Sequence, residues 1–173
     1  MPELSGSPQA GMTEPPLLDS PRAATLALRW GLLQAMSEQA RVIHCVAPRF
    51  DASWPLDDAE VLRQMVGWLK RPGRRLVLLA GSFDDVPRLL PRFTAWRSPW
   101  VHAISALRVQ AESAHNLPTV LFDDHRVCVE VLDLGLGRGR ATLDARMPLL
   151  WAERLDAVLQ RSSPDLPLNT LGL

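Results

Sequence analysis

The chain of 173 residues contains one lysine, two cysteines and no tyrosine. Two cysteines are too few for the disulfide framework that stabilises small secreted domains. Nineteen basic residues balance nineteen acidic ones, which excludes a net field drawing the whole chain to nucleic acid or an anionic membrane. No apolar run reaches the roughly 20 residues needed to span a bilayer. We therefore expect a globular cytoplasmic protein that does not contact the membrane, with Cys45 and Cys128 as buried free thiols.

The first residues differ in composition from the rest. Residues 1–19 are rich in proline, glycine and serine and offer little for a core to bury, so we expect a disordered tail. This start lacks the basic leader and apolar segment of a secretory signal, and Met12 is an alternative to Met1 as initiator. Ser20 and Pro21 form a helix N-cap and first helical position. Residues 20–173 are therefore predicted to form a single domain.

Strand and helix patterns alternate along the next ninety residues. A helix is predicted from residue 21 to about 39, with Leu26, Trp30 and Leu33 on its buried face. Asp57 or Asp58 caps a second helix, and Pro91 kinks or shortens a third. The strands predicted between them lie at 41–47, 75–80 and 100–109. This alternation predicts parallel strands joined by right-handed crossovers.

The pattern changes after residue 117. Two short β-runs, at 119–122 and 126–132, flank a polar turn and lie too close together for a crossover helix, which predicts an antiparallel hairpin. In the second run, valines alternate with Arg126, Cys128 and Glu130, which predicts one buried and one wetter face. The glycine-rich residues 135–139 are interpreted as a flexible connector, leading to a short strand near 140–143 and a helix over 145–160.

This order resembles one half of a phospholipase D superfamily protein, and it looks most like uncharacterised bacterial families allied to that superfamily. The likeness covers about Ala40 to Ser163, and its most specific part is the hairpin with Val-Leu-Phe-Asp-Asp at residues 120–124. The resemblance implies a single α/β domain with a mixed sheet. Three parallel βα units would be extended by the antiparallel hairpin, with helices on both faces.

Active members of that superfamily carry a His-x-Lys-x-x-x-x-Asp motif along the first hairpin strand. The histidine attacks phosphorus and the lysine neutralises the phosphoryl oxygens. Placing the motif's aspartate on Asp123 puts the histidine position on Asn116 and the lysine position on Pro118. The sole lysine, Lys70, has Trp68 rather than histidine two residues before it, so no other alignment restores the motif.

The resemblance therefore implies the fold of that superfamily without its catalytic histidine and lysine. We expect a non-catalytic domain that needs no cofactor and acts by binding a ligand or a protein. Half of a two-domain fold has an apolar surface to cover, which favours a homodimer or a protein partner.

A ligand site is predicted at the carboxyl ends of the parallel strands, where ligands gather in open α/β sheets. The candidate ligand-binding residues, with one from the hairpin, are Arg49, Asp51, Ser82, Asp84, Arg108, His115 and Asp123. An alternative function is a hydrolase using Ser82, Asp84 and His115, although the Gly-x-Ser-x-Gly elbow is missing. The competing interpretation is that Ser82 and Asp84 only cap the next helix.

The remaining candidates favour no chemistry. The histidines have no His-x-x-x-His spacing, so no metal site is expected, and His44 and His102 are predicted in strands with satisfied nitrogens. Arg138 and Arg140 are candidates for contact with nucleic acid, in which case the chain would be a nucleic-acid accessory protein. Trp54, in a loop, is the one tryptophan expected to be exposed to a partner.

Overall fold

A computed structural model describes residues 14–165 of the chain. Within that range the sheet has seven strands: β1 (Val42–Arg49), β2 (Arg75–Ser82), β3 (Ile104–Arg108), β4 (Thr119–Asp123), β5 (Cys128–Asp133), β6 (Arg138–Thr142) and β7 (Ser163–Pro164). Their order across the sheet is β6-β5-β4-β1-β2-β3-β7. Strands β1, β2 and β3 are parallel, and the other neighbouring pairs are antiparallel. The predicted mixed α/β sheet with a hairpin beside three parallel strands is confirmed.

The helices in the described range are α1 (Pro21–Ser37), α2 (Ala59–Leu69), α3 (Val86–Leu89), α4 (Pro91–Trp96), α5 (Ala111–Ala114) and α6 (Arg146–Gln160). Short 3₁₀ turns occupy Pro55–Asp57 and Ser98–Trp100. The second turn shortens the third strand from its predicted start at 100, because the Ala103 N–H donates to the Trp100 carbonyl. None of the helices in residues 14–165 is long and apolar enough to cross a membrane.

Helix α1 begins where its cap predicts, and Trp30 of its predicted face is buried. Ser20 Oγ accepts from the Ala23 N–H at 3.1 Å, which confirms the N-cap. Leu26, predicted to be buried, is 52% exposed. Gly31 lies against the sheet: a Cβ there would be 2.9 Å from both Leu121 Cδ2 and Val129 Cγ2. The close approach at this one position leaves no room for a larger side chain.

Helix α2 is capped by the second of the two predicted aspartates. Asp58 Oδ1 accepts from the Val61 N–H at 2.9 Å. Asp57 Oδ1 instead accepts from the Phe93 N–H at 2.8 Å, which connects the start of α2 to α4. Pro91 begins α4 directly after α3 ends, so the predicted interruption of the third helix is confirmed.

Helices cover both faces of the sheet and form a core on each side. One core combines α1 and α2 with strand residues such as Leu121 and Val129. The other places Leu155 of α6 against Phe122 and Cys128. The predicted wetter face of β5 is therefore wrong: Cys128 and Glu130 are both buried, because α6 packs over that face. Both cysteines are free and buried as predicted, and burial raises the pKa of the Cys128 thiol to about 12.

The glycine-rich stretch forms the turn between β5 and β6 and the first residues of β6. Strand β6 pairs with β5 through Arg138–Thr142, two residues earlier than predicted. A Cβ on Gly139 would lie 1.9 Å from the Glu130 carbonyl oxygen, so this close pairing requires glycine. Gly137 has a φ of 64° and would meet the Ser20 backbone in the same way. Residues 135–137 thus connect β5 to β6, whereas Arg138 and Gly139, at the end of the predicted connector, are paired in the sheet.

The predicted tail lies only partly in the described range. Leu18 is buried and Asp19 forms a β-bridge with Arg138, so packing begins slightly before the predicted boundary at Ser20. The disorder expected for residues 1–13 falls outside the described residues. Residues 166–173 at the other terminus, expected to dock loosely on the domain, also lie outside the described residues.

Candidate functional site

The three parallel strands end together at one edge of the sheet, called here the carboxyl-end edge. Strand register places Arg49 beside Ser82 at the ends of β1 and β2, and Arg108 of β3 beside Ala80. Asp84 follows β2 and ion-pairs with Arg108. The sheet therefore brings most of the candidate ligand-binding residues to the edge where the parallel pattern predicts them.

The charges at this edge are paired with one another. Arg108 donates to Asp84 Oδ1 at 2.9 Å, and its Nε lies 2.6 Å from Asp165 Oδ2. Arg49 Nε lies 3.9 Å from Asp51 Oδ2, while Asp51 Oδ1 accepts from the Ser53 N–H at 2.9 Å. Each of the two arginines thus has a carboxylate neighbour within the protein itself.

Ser82 has neither a capping role nor a catalytic partner. Its Oγ accepts from the Asp84 N–H at 3.2 Å, which closes a two-residue turn after β2. Helix α3 begins later, with Asp85 in the cap position and without a side-chain cap bond. The interpretation of Ser82 and Asp84 as helix caps is therefore wrong, because β2 and its turn extend past the expected helix start. Within residues 14–165, no hydrogen bond joins Ser82 to a histidine or a carboxylate.

His115 lies near the carboxyl-end edge but outside this network. It follows α5, where Ala114 packs so closely on Gly81 that a glycine Cβ would lie 2.8 Å from the Ala114 Cβ. The His115 side chain itself is exposed. The proposed trio of Ser82, Asp84 and His115 shares a neighbourhood, but no hydrogen bond within the described residues connects the three side chains.

Asp123 lies at the other end of the sheet. Strand β4 is antiparallel to β1, so Asp123 stands opposite Ile43, near the start of β1. It is 2% exposed, and its Oδ1 accepts from the N–H groups of His125 and Val127, each at 2.9 Å. Burial raises the pKa of this carboxyl, although the same two amides act in the opposite direction. The aspartate thus closes the hairpin turn, away from the other six candidates.

Two of the histidine expectations are wrong. His44 lies in β1 and stacks on Phe122 with 4.6 Å between ring centroids, but its buried Nδ1 has no hydrogen-bond partner in the described part of the chain. Burial lowers the pKa of His44 to about 4. His102 lies in the turn before β3 rather than in a strand, because β3 starts only at Ile104. No group of three metal-ligating side chains occurs among residues 14–165.

Two other candidates for partner contact interact with side chains of the fold itself. Trp54 is 2% exposed rather than open to a partner, because its large apolar ring packs edge-on against Phe50 at 5.0 Å. Arg140 Nε donates to the buried Glu130 carboxylate at 2.6 Å, and the Trp151 indole N–H donates to the other Glu130 oxygen at 2.5 Å. Of the two arginines considered for nucleic-acid contact, only Arg138 has no carboxylate partner within the described residues.

The structure also has a basic site that is absent from the sequence predictions. It lies at the opposite edge, called here the amino-end edge, where α2 ends and β2 and β3 begin. A groove of about 350 Å³ opens there. Its polar lining consists of Lys70, Arg71, Arg74, Arg75 and His102. The available signal was the segment Lys-Arg-Pro-Gly-Arg-Arg at 70–75, which places four cations within six residues.

These four cations, called here the basic cluster, lack the carboxylate partners found at the other edge. Within residues 14–165 none of Lys70, Arg71, Arg74 and Arg75 forms an ion pair. Arg71 donates to the neutral side chain of Gln39. The Arg74 Nε is buried without a hydrogen-bond partner. The basic cluster therefore brings four cations without carboxylate partners in the described residues to one groove.

Comparisons of the chain with protein-family models, with curated proteins and with solved structures find no match.

Proposed function

We propose that this chain is a non-catalytic, phospholipase-D-like domain that acts by binding. The supporting observation is the use of Asp123, which would be the motif's aspartate. Its Oδ1 accepts from two amides of its own hairpin, and the side chain is 2% exposed. A phosphoryl-transfer site requires groups directed at the reacting phosphorus. This carboxylate instead stabilises a turn.

The charge pairing at the carboxyl-end edge supports the same proposal. Catalysis on a phosphate ester depends on positive charge that is free to stabilise the developing negative charge. Arg108 is already shared between Asp84 and Asp165. An incoming anion would have to displace carboxylates from this arginine, which favours a structural role for the network.

Binding to a protein partner or to a second copy of the chain forms part of the proposal. The hairpin between β5 and β6 carries Leu132, Leu134 and Leu136, each more than half exposed. Neighbouring exposed apolar side chains are typical of interaction surfaces. A cytoplasmic location is proposed from the two free thiols. Light scattering after size-exclusion chromatography tests self-association, and a strict monomer at high concentration would remove that part.

Hydrolysis of bis-p-nitrophenyl phosphate tests the non-catalytic assignment. We expect the full chain to release no more nitrophenolate than a buffer blank. Activity that disappears in His115→Ala or Ser82→Ala would overturn the proposal and favour the hydrolase alternative. His115 is exposed, so its substitution leaves the core intact. Asp123→Asn supplies the test for the motif position, with circular dichroism as the check that the hairpin still folds.

A further inference from the structure

The groove at the amino-end edge concentrates positive charge in a chain whose formal net charge is zero. We propose that the groove is a binding site for a small anion carrying two phosphate groups. Lys70, Arg71, Arg74 and Arg75 line it together with His102, and no acidic side chain of residues 14–165 does. The volume of about 350 Å³ is within the range of small-molecule sites.

The helix dipole at the end of α2 offsets only part of this positive charge. Cations near a helix C-terminus are stabilised by the helix dipole, and Lys70 and Arg71 directly follow Leu69. That terminus is equivalent to about half a negative charge. Four formal positive charges exceed it severalfold, and Arg74 and Arg75 lie beyond the following turn. Most of the positive charge in the groove thus remains available to a ligand.

The geometry of the donors favours phosphate oxygens. An arginine guanidinium presents a planar fork that matches phosphate, and lysine supplies a compact point charge. Arg74 is half-buried and lines the groove. A phosphate monoester carries about −1.5 to −2 charges at neutral pH, so two such groups match the four cations.

A compact ligand fits the site better than a nucleic-acid strand. Extended polyanions are bound by stripes of basic residues that follow the backbone. Here the cations occupy one groove, and acidic groups lie beside it at the start of β1. Asp124 Oδ1 accepts from the Arg41 N–H at 2.9 Å, and Glu38 pairs with Arg126. These carboxylates interrupt the positive surface along that side.

This inference deepens the proposed binding role by naming a site and a ligand class. Each of the two proposals can be disproved without affecting the other. Hydrolysis of the phosphodiester would overturn the non-catalytic assignment without affecting the groove. A groove that does not bind diphosphate would leave the non-catalytic assignment unchanged.

Thermal unfolding and calorimetric titration of the full chain with sodium pyrophosphate test the site. At pyrophosphate about 100 times the dissociation constant, we expect the midpoint to rise by roughly 5–10 °C. Sodium chloride at matched ionic strength is expected to give no such rise. Orthophosphate, with a single phosphate group, is expected to bind at least about tenfold more weakly.

Substitutions locate the ligand. Lys70→Gln combined with Arg74→Gln is expected to weaken pyrophosphate at least about tenfold, and Arg74→Lys to weaken it less because the charge remains. Arg22→Gln is the matched control, since Arg22 is exposed and has no carboxylate partner in the described chain. It begins α1, whose 17 residues place it about 25 Å from the end near Gln39. Its affinity is expected to be unchanged.

Three results would overturn the proposal. The first is a midpoint that pyrophosphate raises no more than chloride does. The second is an equal loss of affinity in Arg22→Gln and in the Lys70 and Arg74 double variant, since that would make binding a property of overall charge. The third is tight binding of a single-stranded oligonucleotide that pyrophosphate fails to displace.

Discussion

The two edges of the parallel sheet differ in whether their basic side chains have carboxylate partners. At the carboxyl-end edge, Arg108 lies between Asp84 and Asp165, so its charge is neutralised within the protein. At the amino-end edge, Lys70 and Arg74 lie in a groove without a carboxylate partner among residues 14–165. The formal net charge of zero is a sum over the whole chain and does not describe the local charge at either edge. The difference teaches that local placement, rather than total charge, decides where an anion is held.

The loops explain this difference. Turns after the parallel strands carry aspartates close to arginines, as at Asp51 and Asp84. In the turn between α2 and β2, all the charged residues are basic. The general rule that ligands gather at the carboxyl ends of parallel strands therefore indicates the edge at which this chain has already paired its charges.

The largest predicted effect comes from His44 in β1, whose protonation makes the stability of the fold depend on pH. Burial lowers its pKa to about 4 from an ordinary 6.5, and the nearby Asp124 carboxylate offsets only part of that shift. The neutral ring is favoured in the folded state. Stability is therefore complete above pH 6.5 and falls as pH decreases toward 4. We expect a loss of about 2 kcal/mol between pH 7.5 and pH 5.

Urea unfolding at several pH values measures this loss. His44→Phe is the control, because phenylalanine preserves an aromatic ring against Phe122 and removes the titration. The variant is expected to lose little stability over the same range. A wild-type profile no steeper than that of His44→Phe would show that another group controls acid unfolding.

The second prediction sharpens the comparison at the carboxyl-end edge. Arg108→Ala removes the cation shared by two carboxylates and is expected to lower the free energy of unfolding by about 1 kcal/mol. The estimate is modest because 40% of the Arg108 side chain is exposed. Arg49→Ala is the matched control. Its pair with Asp51 is long at 3.9 Å and largely exposed, so a change below about 0.5 kcal/mol is expected. Equal effects in both variants would contradict a special role for Arg108.

The third and smallest prediction tests the contrast by giving the basic cluster a carboxylate partner. Gln39→Glu places an acid where Arg71 now donates to a neutral amide. We expect a stabilisation of about 0.5 kcal/mol at low salt. Screening should remove most of it at about 1 M salt. The variant should also bind pyrophosphate more weakly, since Arg71 is then engaged. A stabilisation that persists at high salt would exclude the electrostatic explanation.

The elements that were predictable depend on short-range patterns. The Ser20 cap, the break at Pro91 and the antiparallel hairpin follow from residues within a few positions of one another. Two of the errors concern burial: Leu26 is exposed and Trp54 is buried. Burial depends on which distant element covers a side chain, and no local pattern contains that information.

The candidate site was also predictable only in part. The alternation of strands and helices predicted that Arg49, Ser82 and Arg108 would approach one edge, and the register places them there. That Arg108 would be paired was not predictable, because its partner Asp84 lies 24 residues away and contacts it only across two strands.

From the sequence alone came the strand order along the chain, the starts of α1 and α2 and the absence of a His-x-Lys motif, because each depends on neighbouring residues. The tertiary structure alone decided which charges meet a partner. Pairing energies act over a few ångströms in space, and only the folded sheet determines which distant loops lie that close. The free cations from 70 to 75 are the result of that arrangement.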